Sequence, residues 1–175
     1  MIEFLKKLVH YFEQNQITYM LSGSVAMSLY VLPRFTRDFD FVVHLQPDDV
    51  KKLVEYFNDG FYCDEDAIRD AIQHKSMFNI IDHKSGYKAD FIILKNEPYR
   101  ITEFERRQLI EFLDMQIYIV SAEDLLLSKI ICVQESKSAL QLEDIKLLSK
   151  LGNLDIPYIE GWVDQLKLNT FNLLN

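Results

Sequence analysis

Two aspartates two residues apart, in Asp38-Phe39-Asp40-Phe41, are the side chains of this 175-residue chain best suited to do chemistry together. On a strand, residues i and i+2 share a face, so their carboxylates would stand side by side. Like charges that close repel, and each raises the other's pKa unless a cation lies between them. Magnesium suits that role, because it takes one or two carboxylates and fills its remaining positions with water and phosphate oxygens. The alternative is a strand that opens on one solvated Asp and carries a second by chance. A third acid, Asp90, lies within Lys88-Ala89-Asp90-Phe91-Ile92-Ile93-Leu94 among apolar neighbours. An ionised group there is costly unless it is paired or metal-bound. If this strand lay beside the first, Asp90 would join Asp38 and Asp40 at one metal site; a salt bridge with Lys88 accounts for it equally well.

Gly23-Ser24 adds a second feature. It falls between an expected strand and an expected helix, where backbone N–H groups and the positive end of the helix dipole converge and suit a phosphate. Glycine lets a bulky anion approach the backbone, and the serine hydroxyl adds a donor. A plain turn with a helix cap is the competing explanation.

Apolar periodicity and turn signals indicate which elements must position these residues. Leu5, Leu8, Val9 and Phe12 form one stripe of a helix over 2–14. A strand at 17–21 runs into Gly23-Ser24, and a helix over 24–31 stops before Pro33. Residues 38–45 read as a strand and 47–58 as a helix that begins at Pro47. Strands at 77–82 and 88–94 flank a turn at His83–Gly86, forming a hairpin. Some helix is expected near 102–108, with a further strand at 115–120. The remainder reads as helical: 122–134 behind the Ser121-Ala122-Glu123-Asp124 cap, 138–150, and a last helix from Asp155-Ile156-Pro157 to about 167. These elements make an α+β fold, with a core over 1–120 and a C-terminal helical lobe over 121–175 packed on it.

Composition narrows the function. The formal charge of −8 disfavours a protein that coats nucleic acid, although it permits a metal-bridged nucleotide or a local basic patch. No stretch is apolar enough for a membrane span, and the charged first helix does not read as a signal peptide, so a cytoplasmic location is expected. Cys63 and Cys132 lack metal-ligand spacing and are expected to be unpaired, buried thiols. The four histidines show no zinc pattern.

Taken in order, strand, Gly-Ser, helix, thirteen residues from Ser24 to Asp38, D-x-D with apolar neighbours, and a later strand Asp form one pattern. It resembles that of the nucleotidyltransferase superfamily. Within it the chain is similar to the small bacterial AbiEii/AbiGii-toxin-type nucleotidyltransferases, through LSGSVAMSLYVLPRFTRDFDFVV, SMFNIIDHKSGYKADFIIL, EFERRQLIEF, VSAEDLLLSKI and QLEDIKLL. The resemblance implies a nucleotidyltransferase-fold mixed sheet flanked by helices. It implies that Gly23 and Ser24 contact a triphosphate and that Asp38, Asp40 and Asp90 hold Mg2+ (or Mn2+). Lys129 corresponds to the family's E-D-L-x-x-x-K lysine and would reach the triphosphate, a solvated lysine on the helix being the alternative. Arg34 and Arg37 either steady phosphates or a substrate backbone or are ordinary surface arginines. Asp144 matches a family position for which a salt bridge in the helical lobe is the simplest role. Where toxin members carry a further arginine and lysine, this chain has Ser136-Lys137-Ser138 and Glu143, so the toxins' donor and acceptor preference finds no support here.

The activity implied is transfer of a nucleoside monophosphate from an NTP to an acceptor by in-line displacement at the α-phosphate, with pyrophosphate leaving. The acceptor is an RNA end, a protein side chain or a small molecule. Two other readings compete: phosphate or pyrophosphate transfer at the same site, and a nucleotide-binding toxin–antitoxin or regulatory protein with little turnover. Three costly acids argue against the last.

Overall fold

The computed structural model describes residues 1–31, 33, 36–136 and 138–172. In chain order the elements are α1 (Ile2–Gln14), β1 (Tyr19–Ser22), α2 (Gly23–Tyr30), β2 (Asp38–Val43), a 3-10 turn (Pro47–Asp49) leading into α3 (Val50–Tyr56), β3 (Phe61–Cys63), α4 (Glu65–His74), β4 (Met77–Asp82), β5 (Lys88–Ile93), α5 (Pro98–Glu105), β6 (Gln108–Phe112), β7 (Met115–Ile119), α6 (Ala122–Glu135), α7 (Ala139–Leu148) and α8 (Ile156–Gln165). The strands form one mixed sheet in the order β3-β4-β5-β2-β1-β7-β6. β2 pairs parallel with β5 and antiparallel with β1; β1 pairs parallel with β7.

The period-2 rule of strands divides this sheet into an aromatic face and a mixed face. Phe39, Phe41 and Val43 of β2, Tyr19 and Leu21 of β1, and Ala89, Phe91 and Ile93 of β5 join α1, α3 and α4 in one buried cluster. Phe12 of α1 stands edge-on to Phe41 and Phe91, and Phe78 stacks on Phe91. The alternate residues, Asp38, Asp40 and Val42 of β2 with Lys88, Asp90 and Ile92 of β5, therefore face the other way. On that side Met20, Ala26 and Met27 share a second cluster with Tyr99 and Phe104 of α5 and the buried residues of α6, α7 and α8. The C-terminal helices thus have no separate core, and they roof the face that carries the acids.

Several expectations meet differences here. The strand expected at 17–21 is Tyr19–Ser22, and the helix expected from Pro47 opens as a 3-10 turn capped by reciprocal Gln46–Asp49 bonds. β3, α4 and β6 were not foreseen. α4 follows an Asp64 cap whose carboxylate accepts the Ala67 N–H at 2.7 Å. β6 joins β7 through Leu113 and Asp114, both with positive φ (51° and 60°), a two-residue hairpin turn without its usual glycine. The thiols are free, but Cys63 is only half-buried and Cys132 is exposed. Among the described residues, no helix is long and apolar enough to cross a membrane.

Candidate active site

β1 ends at Ser22, whose Cα partner across the antiparallel pair is Asp40. The chain then turns at Gly23, with φ +62°, directly into α2. A Cβ at Gly23 would lie 1.9 Å from Asp40 Oδ2, so glycine is what allows that carboxylate to rest against the backbone. The backbone N–H of Ser24 donates to the Asp40 carboxylate. A helix N-terminus commonly binds an anion, and here the donor expected to face a phosphate already holds one of the acids.

Asp40 and Asp90 are Cα partners in the parallel pair of β2 and β5, and Asp38 stands opposite Lys88 one step along the same face. The register so brings Asp90, distant in sequence, to the same side of two neighbouring strands as Asp38 and Asp40. The pKa of Asp40 is raised above the ordinary carboxylate value, first by burial and then by Asp90 and Asp38; the Ser24 N–H and Lys129 oppose the shift. Lys88 Nζ lies 2.8 Å from Asp90 Oδ2 and 3.9 Å from Asp38 Oδ1. The salt bridge weighed as an alternative for Asp90 is therefore present, and it lies inside the acid cluster. Asp90 Oδ1 is buried and receives no hydrogen bond. Among the described residues, no three His, Cys, Asp or Glu side chains stand in a ready-made cage for a metal ion. The donors nonetheless fit a hard divalent cation: all are carboxylate oxygens, one is buried without a donor, and Asp40 bears the electrostatic strain of its neighbours.

Beside Asp40 opens a cavity of about 350 Å3. Gly23, Ser24 and Asp40 form its sheet side, Val42, Ile92 and Leu125 its apolar walls, and Arg100, Glu103, Ser128 and Lys129 its polar rim. Lys129 Nζ donates to Asp144 Oδ2 at 2.8 Å, with the acid almost fully buried. The ammonium is thereby held in the cavity wall, near enough for Asp40 to feel its charge. Asp144 has the salt-bridge role expected for it, joining α6 to α7.

Sequence reasoning missed the Arg100–Glu103–Ser128 network. Arg100 Nη1 bonds Glu103 Oε2 at 2.8 Å and Ser128 Oγ at 2.7 Å, while Ser128 Oγ donates to Glu103 Oε1 at 2.5 Å. Burial pushes the Glu103 carboxyl upward and its two partners pull it back. The i, i+3 spacing of Arg100 and Glu103 was a usable signal only if α5 had been placed from Pro98. Arg37 is exposed at the start of β2, its carbonyl accepting the Lys88 N–H at 3.1 Å, and it does not line the cavity. Arg34 lies outside the described residues.

A larger groove, about 1390 Å3, runs along α1 and is lined by Lys6, Lys7, His10, Phe61, Leu109 and Tyr118 among others. It holds none of the three acids. Of the three acids the smaller cavity is lined by Asp40, while Asp38 and Asp90 lie outside its lining.

No protein-family model and no curated protein sequence matches the chain. Solved structures do match in fold. The lincosamide antibiotic adenylyltransferase LnuA, crystallised with lincomycin bound, is 17% identical with a TM-score of 0.59, covering 86% of this chain and 98% of its own. ANT(2")-Ia in complex with adenylyl-2"-tobramycin is 10% identical with a TM-score of 0.61, covering 95% and 96%. An antigenic nucleotidyltransferase-like protein from Paracoccidioides brasiliensis is 14% identical with a TM-score of 0.57, covering 91% and 83%. The chain thus has the α+β fold of nucleotidyltransferases, a mixed sheet flanked by helices with a helical C-terminal part.

Proposed function

We propose that the protein is an enzyme that transfers a nucleoside monophosphate from an NTP to a hydroxyl of a small molecule. The observation that carries this reading is the parallel register of Asp40 with Asp90, with a Gly-Ser turn against Asp40 and a buried Asp90 Oδ1 that receives no hydrogen bond. Asp38, Asp40 and Asp90 would hold Mg2+ (or Mn2+), which when bound neutralises phosphate charge and lowers the pKa of an attacking group. Lys129, tethered by Asp144, presents a fixed cation to the triphosphate, and the Ser24 hydroxyl with the Gly23 backbone lines its path. Asp90 helps the acceptor hydroxyl lose its proton. A bond forms between that oxygen and the α-phosphorus as the bond to the bridging oxygen breaks, and pyrophosphate departs. The role of the protein is positioning and charge neutralisation.

Two things favour a small acceptor. The cavity is on the scale of small-molecule sites, about 300–1,000 Å3. LnuA and ANT(2")-Ia, which this chain matches over nearly their full length, are structures with an antibiotic or an adenylylated antibiotic bound. A cytoplasmic location would supply the NTP and suits two free thiols. The narrower kinship with AbiEii/AbiGii-type toxins rests on the sequence motifs alone.

The test uses α-labelled and γ-labelled NTPs with Mg2+ and cell extract. The reading expects α-label in a low-mass product, with pyrophosphate released and the transfer abolished in Asp38→Ala/Asp40→Ala. Transfer of γ-label would replace it with phosphoryl transfer, and label in RNA or protein would replace the acceptor class. Equal labelling by the double variant would show that the acids are not the site.

A further inference from the structure

Lys88 places an ammonium between two of the acids. It is the Cα partner of Asp38 across β2 and β5, and it shares a face with Asp90 two residues on. Its ammonium bridges the two strands, 2.8 Å from Asp90 Oδ2 and 3.9 Å from Asp38 Oδ1. The partners differ in freedom. The Asp90 side chain is only 11% exposed on a short, strand-anchored stem, whereas the Lys88 side chain is 34% exposed on a flexible four-carbon stem. The ammonium can leave for solvent, and the Asp90 carboxylate cannot follow it; the Asp38 side chain, 50% exposed, is the looser of the two acids.

We propose that Lys88 is a resident counter-ion of the acid cluster, displaced when a divalent cation binds. The inference rests on the reading of Asp38, Asp40 and Asp90 as a metal site. In the metal-free protein the ammonium relieves the repulsion between the carboxylates and holds them apart from cage geometry, consistent with the absence of a ready-made cage among the described residues. A divalent ion at the same carboxylates repels an ammonium a few ångström away, so the two cations exclude each other. Lys88 thereby keeps affinity for the bare metal low, and a triphosphate that brings its own oxygens to the ion tips the exchange. A different role for Lys88, staying on Asp90 Oδ2 to aim Oδ1 at the metal, gives effects of the opposite sign.

Mn2+ binding to the full chain, followed by electron paramagnetic resonance, separates the two. Lys88→Met keeps most of the stem and removes the charge, so it is expected to bind Mn2+ at least about tenfold more tightly than wild type. It should also melt at a lower temperature in metal-free buffer, whereas Lys88→Arg should bind Mn2+ no more tightly than wild type. Acylation of the Lys88 amine by a water-soluble reagent should rise as Mn2+ saturates the wild-type protein, because the displaced amine is exposed. Lys88→Gln, checked for folding by circular dichroism, serves if the Met variant does not fold. Equal or weaker Mn2+ binding by a folded neutral variant, or unchanged acylation, overturns the inference alone. A wild-type protein that binds no Mn2+ brings down the metal-site reading and this inference with it.

Discussion

Gly23 and Asp40 are in such close contact that a single methyl group would separate them: a Cβ on Gly23 would fall 1.9 Å from Asp40 Oδ2. Gly23→Ala therefore forces an L side chain into left-handed backbone and pushes the carboxylate aside. The two effects together are expected to cost about 2–4 kcal/mol of stability. Activity should fall more than stability explains, because Asp40 loses its seat. Urea unfolding and turnover at a temperature where the variant is still folded check both; a variant of wild-type stability would mean that the contact is looser than described.

Asp40 itself should be a burden to the metal-free fold. Its pKa is raised in the folded state, chiefly by burial and by Asp90, so the folded protein holds that proton more tightly than the unfolded chain. The contribution to stability is then full below the ordinary value of 3.8 and is lost as pH rises through the folded-state pKa. At neutral pH the charged carboxylate opposes folding. Asp40→Asn keeps an acceptor for the Ser24 N–H and is expected to raise the Tm by about 2–4 °C at pH 7 with metal removed. That gain should shrink as the pH approaches 3.8. Calorimetry across pH tests the sign, and a lower Tm at pH 7 would contradict it.

The Lys129–Asp144 pair should reveal itself through a double-variant cycle. Asp144 is almost fully buried, so Lys129→Met takes a counter-charge from a buried acid and should destabilise by about 1–3 kcal/mol, partly restored by adding Asp144→Asn. NTP binding should stay weak in both, since the cation is gone from the cavity in each. Recovery of nucleotide affinity in the double variant would show that Lys129 does not act on the triphosphate.

Asp124 offers a control away from the chemistry. It is fully buried and accepts from Arg106 Nε at 3.1 Å, Ser121 Oγ at 2.6 Å and Tyr158 OH at 2.6 Å, tying α5 and α8 to α6. Asp124→Ala is expected to destabilise by about 3–5 kcal/mol while Mn2+ affinity at a permissive temperature stays unchanged. Lost metal binding in the folded variant would mean that the roof helices shape the acid cluster more directly than the contacts indicate.

How much of this could be read from sequence depended on whether the signal was local. The alternation Asp38-Phe39-Asp40-Phe41 and the apolar flanks of Asp90 announced strands and faces, because period 2 is written into adjacent residues. The pairing of Asp40 with Asp90 was a conjecture, since register between residues fifty apart depends on the whole sheet. Lys88 illustrates the same limit: it was weighed as a rival to metal for Asp90, whereas its distance to Asp38 follows from strand order. β6 escaped because its turn uses Leu113 and Asp114 at positive φ without a glycine signal. The Arg100–Glu103–Ser128 network joins two helices through side chains twenty-five and twenty-eight residues apart, which no short spacing encodes.

The most direct measurement of the central claim is Mn2+ binding in the presence of an NTP analogue that cannot be cleaved between its α- and β-phosphates, compared across Asp38→Asn, Asp40→Asn and Asp90→Asn. The wild-type protein should bind the ion with the analogue, and each single variant should weaken it by about tenfold or more while remaining folded. Undiminished binding in Asp90→Asn would contradict the account, since it would leave the buried Oδ1 without its ligand and the parallel register without a function.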